Sequence, residues 1–363
     1  MFVTAYTHFK CNQCGSDLDY AIGLHSLRCG SCGFVDPIES TPLDQHLAHD
    51  YQSAVSELSY FEPKAIDLEL QCSNCGANFI MDTNVHADEC PYCDLNVVVP
   101  ADSQRTLEPD GVIPFEVEQH QAEKAFKNWL QGLWFAPSAL KRKAIQAQGI
   151  VGSYMPLWAF DAEVSSNYRG ARGDNYTTTV RVPRKVNGRT VMQTQTVVKI
   201  RWRNCSGWVQ NSFDDVITLG THTLPLKFQN FLSEWNLSAT QNYNEKYLSG
   251  FRSELYQIGL PEAFKLAKDI MYRTIRATVR RDIGGDHQQI HHIDSTYQQV
   301  GYKLLLAPMW ISAFNYKKKT YRYVINGQTG QAHGERPYSV WKILGAVMLA
   351  AILAGSIYVI SQQ

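Results

Sequence analysis

Residues Cys11 to Cys32 read "CNQCGSDLDYAIGLHSLRCGSC", two Cys-x-x-Cys pairs with fourteen residues between them. The same pattern returns 61 residues later at Cys72, Cys75, Cys90 and Cys93, and in both copies a glycine (Gly15, Gly76) follows the second cysteine. Each Cys-x-x-Cys bends the backbone into a knuckle that presents two sulfurs about 2.3 Å from one tetrahedral ion. The intervening stretch suffices for a strand, a turn and a returning strand. The spacing therefore predicts two small four-cysteine zinc ribbons, over 1–40 and 64–100, each holding one Zn2+. Four thiolates favour zinc over hard cations such as magnesium or calcium. Rubredoxin-like iron shares this ligand set, and a cross-braced pairing between the two motifs uses the same cysteines; the spacing leaves both open. His25 and His86 each stand four residues before the third cysteine and read as turn or supporting residues, because four sulfurs already complete a shell. A closed four-sulfur shell is structural rather than catalytic.

The formal net charge of zero hides a split. Residues 1–123 hold 20 Asp/Glu and 4 Lys/Arg, a net of −16, so the remainder holds 14 and 30, a net of +16. Affinity for nucleic acid rests mainly on cations that neutralise phosphates, so this acidity argues against nucleic acid as the partner of the ribbons. Between 164 and 210 lie Arg169, Arg172, Arg181, Arg184, Lys185, Arg189, Lys199, Arg201 and Arg203 against a single acid, Asp174. That basic surface suits an anionic leaflet or an acidic protein face, the chain's own ribbons included.

An acidic helical connector is expected over 41–63 and a linker over 101–114. The pattern around Ala122, Phe126, Trp129 and Leu133 predicts a core-facing helix, and Pro261 opens a second one reaching Ile283. Asn187-Gly188 between alternating runs predicts a tight hairpin. Pro308-Met309-Trp310 echoes Pro156-Leu157-Trp158, which suggests an internal duplication of helix followed by antiparallel strands. The fold class expected is thus α+β: two ribbons, a central antiparallel-sheet-plus-helix body over 115–336, and a C-terminal helix.

"ILGAVMLAAILAGSIYVI", Ile343 to Ile360, carries no charge. At 1.5 Å per residue it would extend roughly 27 Å, the thickness of a hydrocarbon core, so a transmembrane helix is expected over 341–360. Lys317, Lys318, Lys319, Arg322, Arg336 and Lys342 precede it and no cation follows, which places the bulk of the chain in the cytoplasm at the inner membrane. Stripes of small residues (Ala346, Ala350 and Ala354; Ala351 and Gly355) would permit self-association through that anchor. Enzyme signatures are missing: there is no Walker A sequence, G-x-S-x-G, H-E-x-x-H or G-x-G-x-x-G. His287, His291 and His292 cluster in "GGDHQQIHHID" and read as a polar loop rather than a metal site. Cys205, between Trp202 and Trp208, reads as a buried apolar side chain.

The paired C-x2-C-G…C-x2-C motifs with "CPYCD", together with "YMPLWAFDA", "LLLAPMWISAFNYKKKTYRYVINGQTGQAHGERPYS" and the apolar tail, resemble a bacterial family of membrane-anchored double zinc-ribbon proteins. Members often carry a primosomal helicase-like label, which would require nucleotide-binding motifs that this sequence lacks. The resemblance implies a membrane setting, since some relatives are encoded beside phage-shock-protein-A-like or flotillin-like proteins and are thought to recruit them under envelope stress. The expected function is a non-enzymatic membrane adaptor that scaffolds cytoplasmic proteins. The rival expectation is a nucleic-acid-binding protein that uses the basic hairpin 164–210.

Overall fold

The structure is a computed structural model; it describes residues 8–44, 47–58, 68–72, 78–81, 85–91, 95–98, 107–139, 149–186, 189–225, 228, 235–316, 319–335 and 338–361. Near the N-terminus, β1 (Leu18–Ala21), β2 (Ser26–Cys29) and β3 (Val35–Pro37) form a three-stranded antiparallel sheet. A short strand β4 (His49–Asp50) leads into helix α1 (Tyr51–Leu58). Strands β5 (Leu68–Gln71) and β6 (Asn78–Met81) pair only with each other among the described residues, whereas β7 (Val85–Glu89) and β8 (Asn96–Val98) join the main sheet.

That main sheet has eleven strands and is mixed. Its centre is β10 (Val151–Val186), flanked by β11 (Arg189–Leu219) and β14 (His287–Tyr316), both antiparallel to it. With β4, β7 and β8, shorter strands complete it: β9 (Gly111–Val112), β12 (Gln241–Asn242), β13 (Arg252–Glu254), β15 (Lys319–Asn326) and β16 (Ala332–Gly334). Two pairings are parallel, β13 with β10 and β9 with β14. The expected antiparallel-sheet-plus-helix body is therefore corrected to a large mixed sheet. The parallel partners come from distant segments, a pairing that no local periodicity encodes.

Helices cover this sheet where it is apolar. Helix α2 (Gln119–Gly132) is fastened at its start by the Glu118 amide donating to Gln121 Oε1 at 3.0 Å. Its Phe126 ring stacks on Tyr323 of β15. Helix α3 (Leu260–Ile283) buries Ala263, Phe264, Ala267, Met271, Ile275, Val279 and Ile283, the three-and-four spacing of one helical face. That stripe lies on Phe160, Ala162, Val164 and Tyr168 of β10 and Val209 of β11, alternate residues that share one face of the sheet. Trp158 and Trp310 each donate an indole N–H to the backbone just ahead of a helix, Trp158 to Ile258 O at 2.9 Å before α3 and Trp310 to Val117 O at 2.8 Å before α2.

The last helix, α4 (Val340–Ser361), is pinned at its base. The Ser339 amide donates to Phe135 O at 2.7 Å, and Lys342 Nζ donates to Ala136 O at 2.8 Å. The transmembrane helix expected over 341–360 is not borne out: among the described residues no helix is long and apolar enough to cross a membrane. The side chains of α4 are described only to residue 356, short of the roughly 20 apolar residues that a span takes.

Candidate metal centre

Cys11, Cys14, Cys29 and Cys32 converge as the spacing predicts. Cys11 Sγ lies 3.5 Å from Cys32 Sγ, and Cys14 Sγ lies 3.5 Å from Cys29 Sγ. A tetrahedron with 2.3 Å metal–sulfur bonds has sulfurs ~3.8 Å apart, so the cluster fits one ion with little adjustment. Each cross-contact joins one knuckle to the other, the first lying just before β1 and the second at the end of β2 and in the loop before β3. Two knuckles of the same make hold the sulfurs. The Cys11 amide donates to Ser16 O at 2.7 Å and the Cys29 amide to Phe34 O at 2.8 Å, while the Gly15 and Gly33 amides return to Cys11 O and Cys29 O. Gly15 and Gly33 both adopt φ +76°, a left-handed conformation in which glycine carries no steric cost. Hydrogen bonds from the Ser16 side chain and then its backbone pull the Cys14 thiol down to about 6, whereas Cys32, despite a backbone hydrogen bond from Phe34, is pushed up to about 12 by desolvation and the other three sulfurs. The four-cysteine cluster could thus hold one metal ion.

The second motif is described only in part. Cys75 and Cys93 lie outside the described residues, so a second ribbon is not shown. Cys72 and Cys90 are both buried and share an apolar cluster with Leu70, Met81, Val85, Leu95 and Val97. The Cys90 amide donates to Leu95 O at 2.8 Å, the same five-residue reach that Cys11 and Cys29 make in the first motif.

The equivalent histidines turn out to be docking residues. His25 Nδ1 lies 3.4 Å from the Tyr247 hydroxyl, and His86 Nε2 lies 2.7 Å from the Tyr243 hydroxyl. Both cysteine motifs thereby grip one short segment, 243–247. Asp36 adds an ion pair to Lys246 at 2.9 Å, Ser249 Oγ donates to Leu18 O at 2.6 Å, and Asn96 Nδ2 reaches across to Asp19 Oδ1 at 2.8 Å. His86 is buried, and desolvation pulls its imidazole down to about 4, so it packs there neutral. Its signal in the sequence was the matched offset from the third cysteine in both copies.

At the far end of β10 lies the basic surface. The β10–β14 register ends at Gly173↔His287, and α3 ends at Ile283. Beyond that point β10 and β11 continue alone for thirteen pairs, Asp174↔Arg201 through Val186↔Arg189, a projecting arm ~44 Å long at about 3.4 Å per pair. The hairpin turn expected at Asn187-Gly188 lies outside the described residues. Arg169, Arg172, Arg181, Arg184, Lys199, Arg201 and Arg203 are all exposed; the side chains of Lys185 and Arg189 are outside the description. Asp174 binds Arg172 at 2.9 Å and Arg203 at 2.6 Å, and these hydrogen bonds, Arg203's first, hold its carboxyl below the usual range. From Asn175 to Ile200 there are five cations and no acid. Among them stand exposed apolar side chains, including Val191, Met192 and Val198.

His287, His291 and His292 lie on strand β14, neither in a loop nor on a helix, and among the described residues they form no metal cluster. His287 Nε2 instead lies 3.0 Å from Asn175 Oδ1. His291 and His292 come together with Arg169, Asn204 and Ser206 around an open groove of about 640 Å³ at the root of the arm. Cys205 in this groove is half-buried rather than buried. Sequence reasoning missed one charged group altogether. Lys303 is buried on the sheet, 2.7 Å from Asp215 Oδ1 and 4.0 Å from Asp161 Oδ2, where the pairing of β10 with β11 and β14 shifts register. The Asp215 amide also donates to Asp161 Oδ1 at 2.7 Å. Asp161, Asp214 and Asp215 are close enough together to hold a cation, and the Lys303 ammonium supplies one.

No family model matches the chain, and no solved structure does. The chain is similar to the uncharacterized protein YdjG of Bacillus subtilis, 25% identical over 357 residues, which cover 96% of this chain and 94% of that protein.

Proposed function

We propose that this chain is a non-enzymatic adaptor: a metal-stapled base from which β10 and β11 carry a binding arm to other macromolecules. The arm is the observation that carries the reading. A two-stranded ribbon without a third strand or a covering helix is marginal in water, and beyond Asn175, where Asp286 and His287 still touch it, this one runs eleven pairs with no third strand beside it among the described residues. Such a surface is retained for contact. Zinc is the proposed metal, one ion at Cys11/Cys14/Cys29/Cys32 and a second at Cys72/Cys75/Cys90/Cys93. The second site is supported by the repeated spacing and by the Cys90–Leu95 hydrogen bond that reproduces the first knuckle. The expected result is two zinc equivalents per chain, with one left in a Cys72→Ser/Cys75→Ser variant; loss of both would indicate a cross-braced site.

Partner proteins are the proposed ligands of the arm, and the family resemblance makes phage-shock-protein-A-like or flotillin-like proteins the first to try. Nucleic acid is the second reading, favoured by one observation. Trp202 and Trp208 are both exposed, and even spacing along β11 puts them on one face ~20 Å apart, as stacking platforms are arranged. A photo-crosslinking residue at position 198 separates the two. Protein adducts, absent when the probe sits at buried position 164, are the expected result. Nucleic-acid adducts in their place would overturn the adaptor reading.

A further inference from the structure

We propose that the arm's partner includes a second copy of this chain, each arm docking on the acidic, metal-bearing end of the next copy. This rests on the reading of the arm as a binding element and names what it binds. Charge narrows the choice. Two arms would repel one another, since each carries five cations and no acid between Asn175 and Ile200. The complementary surface exists within the same sequence, where residues 1–123 carry a net of −16.

Geometry decides whether that contact falls within one molecule or between two. The metal-bearing end is tied to the start of β10, since β7 pairs with β13 and β13 pairs with Ser153 and Tyr154. The arm's last pair is Val186↔Arg189. Thirty-three residues of continuous strand separate the two, a contour of ~110 Å, so an arm cannot fold back on its own base. It reaches the base of a neighbour.

That base offers a receiving cleft of about 320 Å³, with Asp17, Asp19 and Glu89 around the rings of Tyr20 and Phe251. Acidic groups beside the half-buried ring of Phe251 match an arm that sets Arg and Lys among Val and Ile, because guanidinium groups both pair with carboxylates and stack on rings. The two surfaces of the contact differ from one another, so it is head-to-tail and generates a ring or an open chain of copies rather than a closed pair.

Sedimentation of the purified full chain tests this. Mass should rise with protein concentration at about 50 mM salt and fall back to monomer at about 500 mM, where screening shortens the reach of charge. An Arg181→Glu/Arg184→Glu/Lys199→Glu arm variant should be monomeric at both salts. An Asp17→Lys/Glu89→Lys cleft variant should also be monomeric, with metal content and circular dichroism confirming its fold. Mixing the two should yield a one-to-one complex only if the intact arm of one enters the intact cleft of the other. Wild-type protein that stays monomeric at low salt would overturn the proposal, and so would association that survives in the arm variant, since α4 is unchanged there. Monomeric protein whose arm binds phosphatidylglycerol vesicles or polyuridine would overturn it too, while leaving the arm a binding element.

Discussion

The two ends of β10 face opposite physical problems. At its start, strands, rings and a four-sulfur cluster converge, and groups of the first ribbon find partners elsewhere in the protein: Asp36 with Lys246, Leu18 with Ser249, His25 with Tyr247. At its far end the third strand stops at Gly173, the last contacts fall on Asn175, and most of the described side chains beyond it face water. A small unit with few apolar residues needs a metal to hold it. A surface held open for contact needs the opposite, a rigid root and a bare tip. The difference separates what the protein spends on folding from what it keeps for binding.

Removing the metal should break this contrast most severely. A Cys11→Ser/Cys29→Ser variant is expected to lose one metal equivalent and to exchange amide hydrogens freely over 8–38, while exchange in the arm stays as before. Faster exchange in the arm would show that the two ends are coupled. Next comes the joint between them. Lys303→Ala leaves Asp161 and Asp215 facing each other without their cation, which should cost about 3 kcal/mol of stability by denaturant unfolding. A loss under ~1 kcal/mol would mean that water replaces the ammonium.

The base should also respond to acid. His86 is pulled down to about 4 in the fold against about 6.5 in an unfolded chain. Between those values the unfolded state binds the extra proton, so stability is full above about 6.5 and declines as the pH falls towards 4. The decline should be on the order of 3 kcal/mol and should be absent in His86→Gln, the difference between the two proteins isolating this group from the thiolates. The smallest effect belongs to the tip. Arg184→Gln and Val198→Thr touch only exposed positions and should change stability by about 0.5 kcal/mol or less, yet weaken partner capture.

Much of the base was legible in the sequence, because tetrahedral thiolate chemistry fixes the spacing of Cys11, Cys14, Cys29 and Cys32. Helices α2 and α3 were legible too, from the apolar stripe around Phe126 and from Pro261. The mixed sheet was not, since the pairing of Ser153 with Arg252 and of Leu305 with Gly111 joins segments about a hundred or more residues apart. The arm was half legible. Asn187-Gly188 and the alternation around it announced a hairpin, but how much of a hairpin stands free depends on where α3 and β14 stop covering it. The tail from Ile343 to Ile360 misled most: an uncharged run fixes helix and apolarity, and the transmembrane span drawn from it is not borne out among the described residues.

Excising the arm tests the central claim most directly. Residues 176–199 would be replaced by a two-residue turn joining Asn175 to Ile200, and thermal unfolding, metal content and partner capture measured on the same protein. A stable metal-bearing base and a free binding arm predict unchanged metal, a melting temperature within a few degrees of the full chain, and loss of capture. Capture that persists without the arm, or a base that no longer folds, would contradict the account.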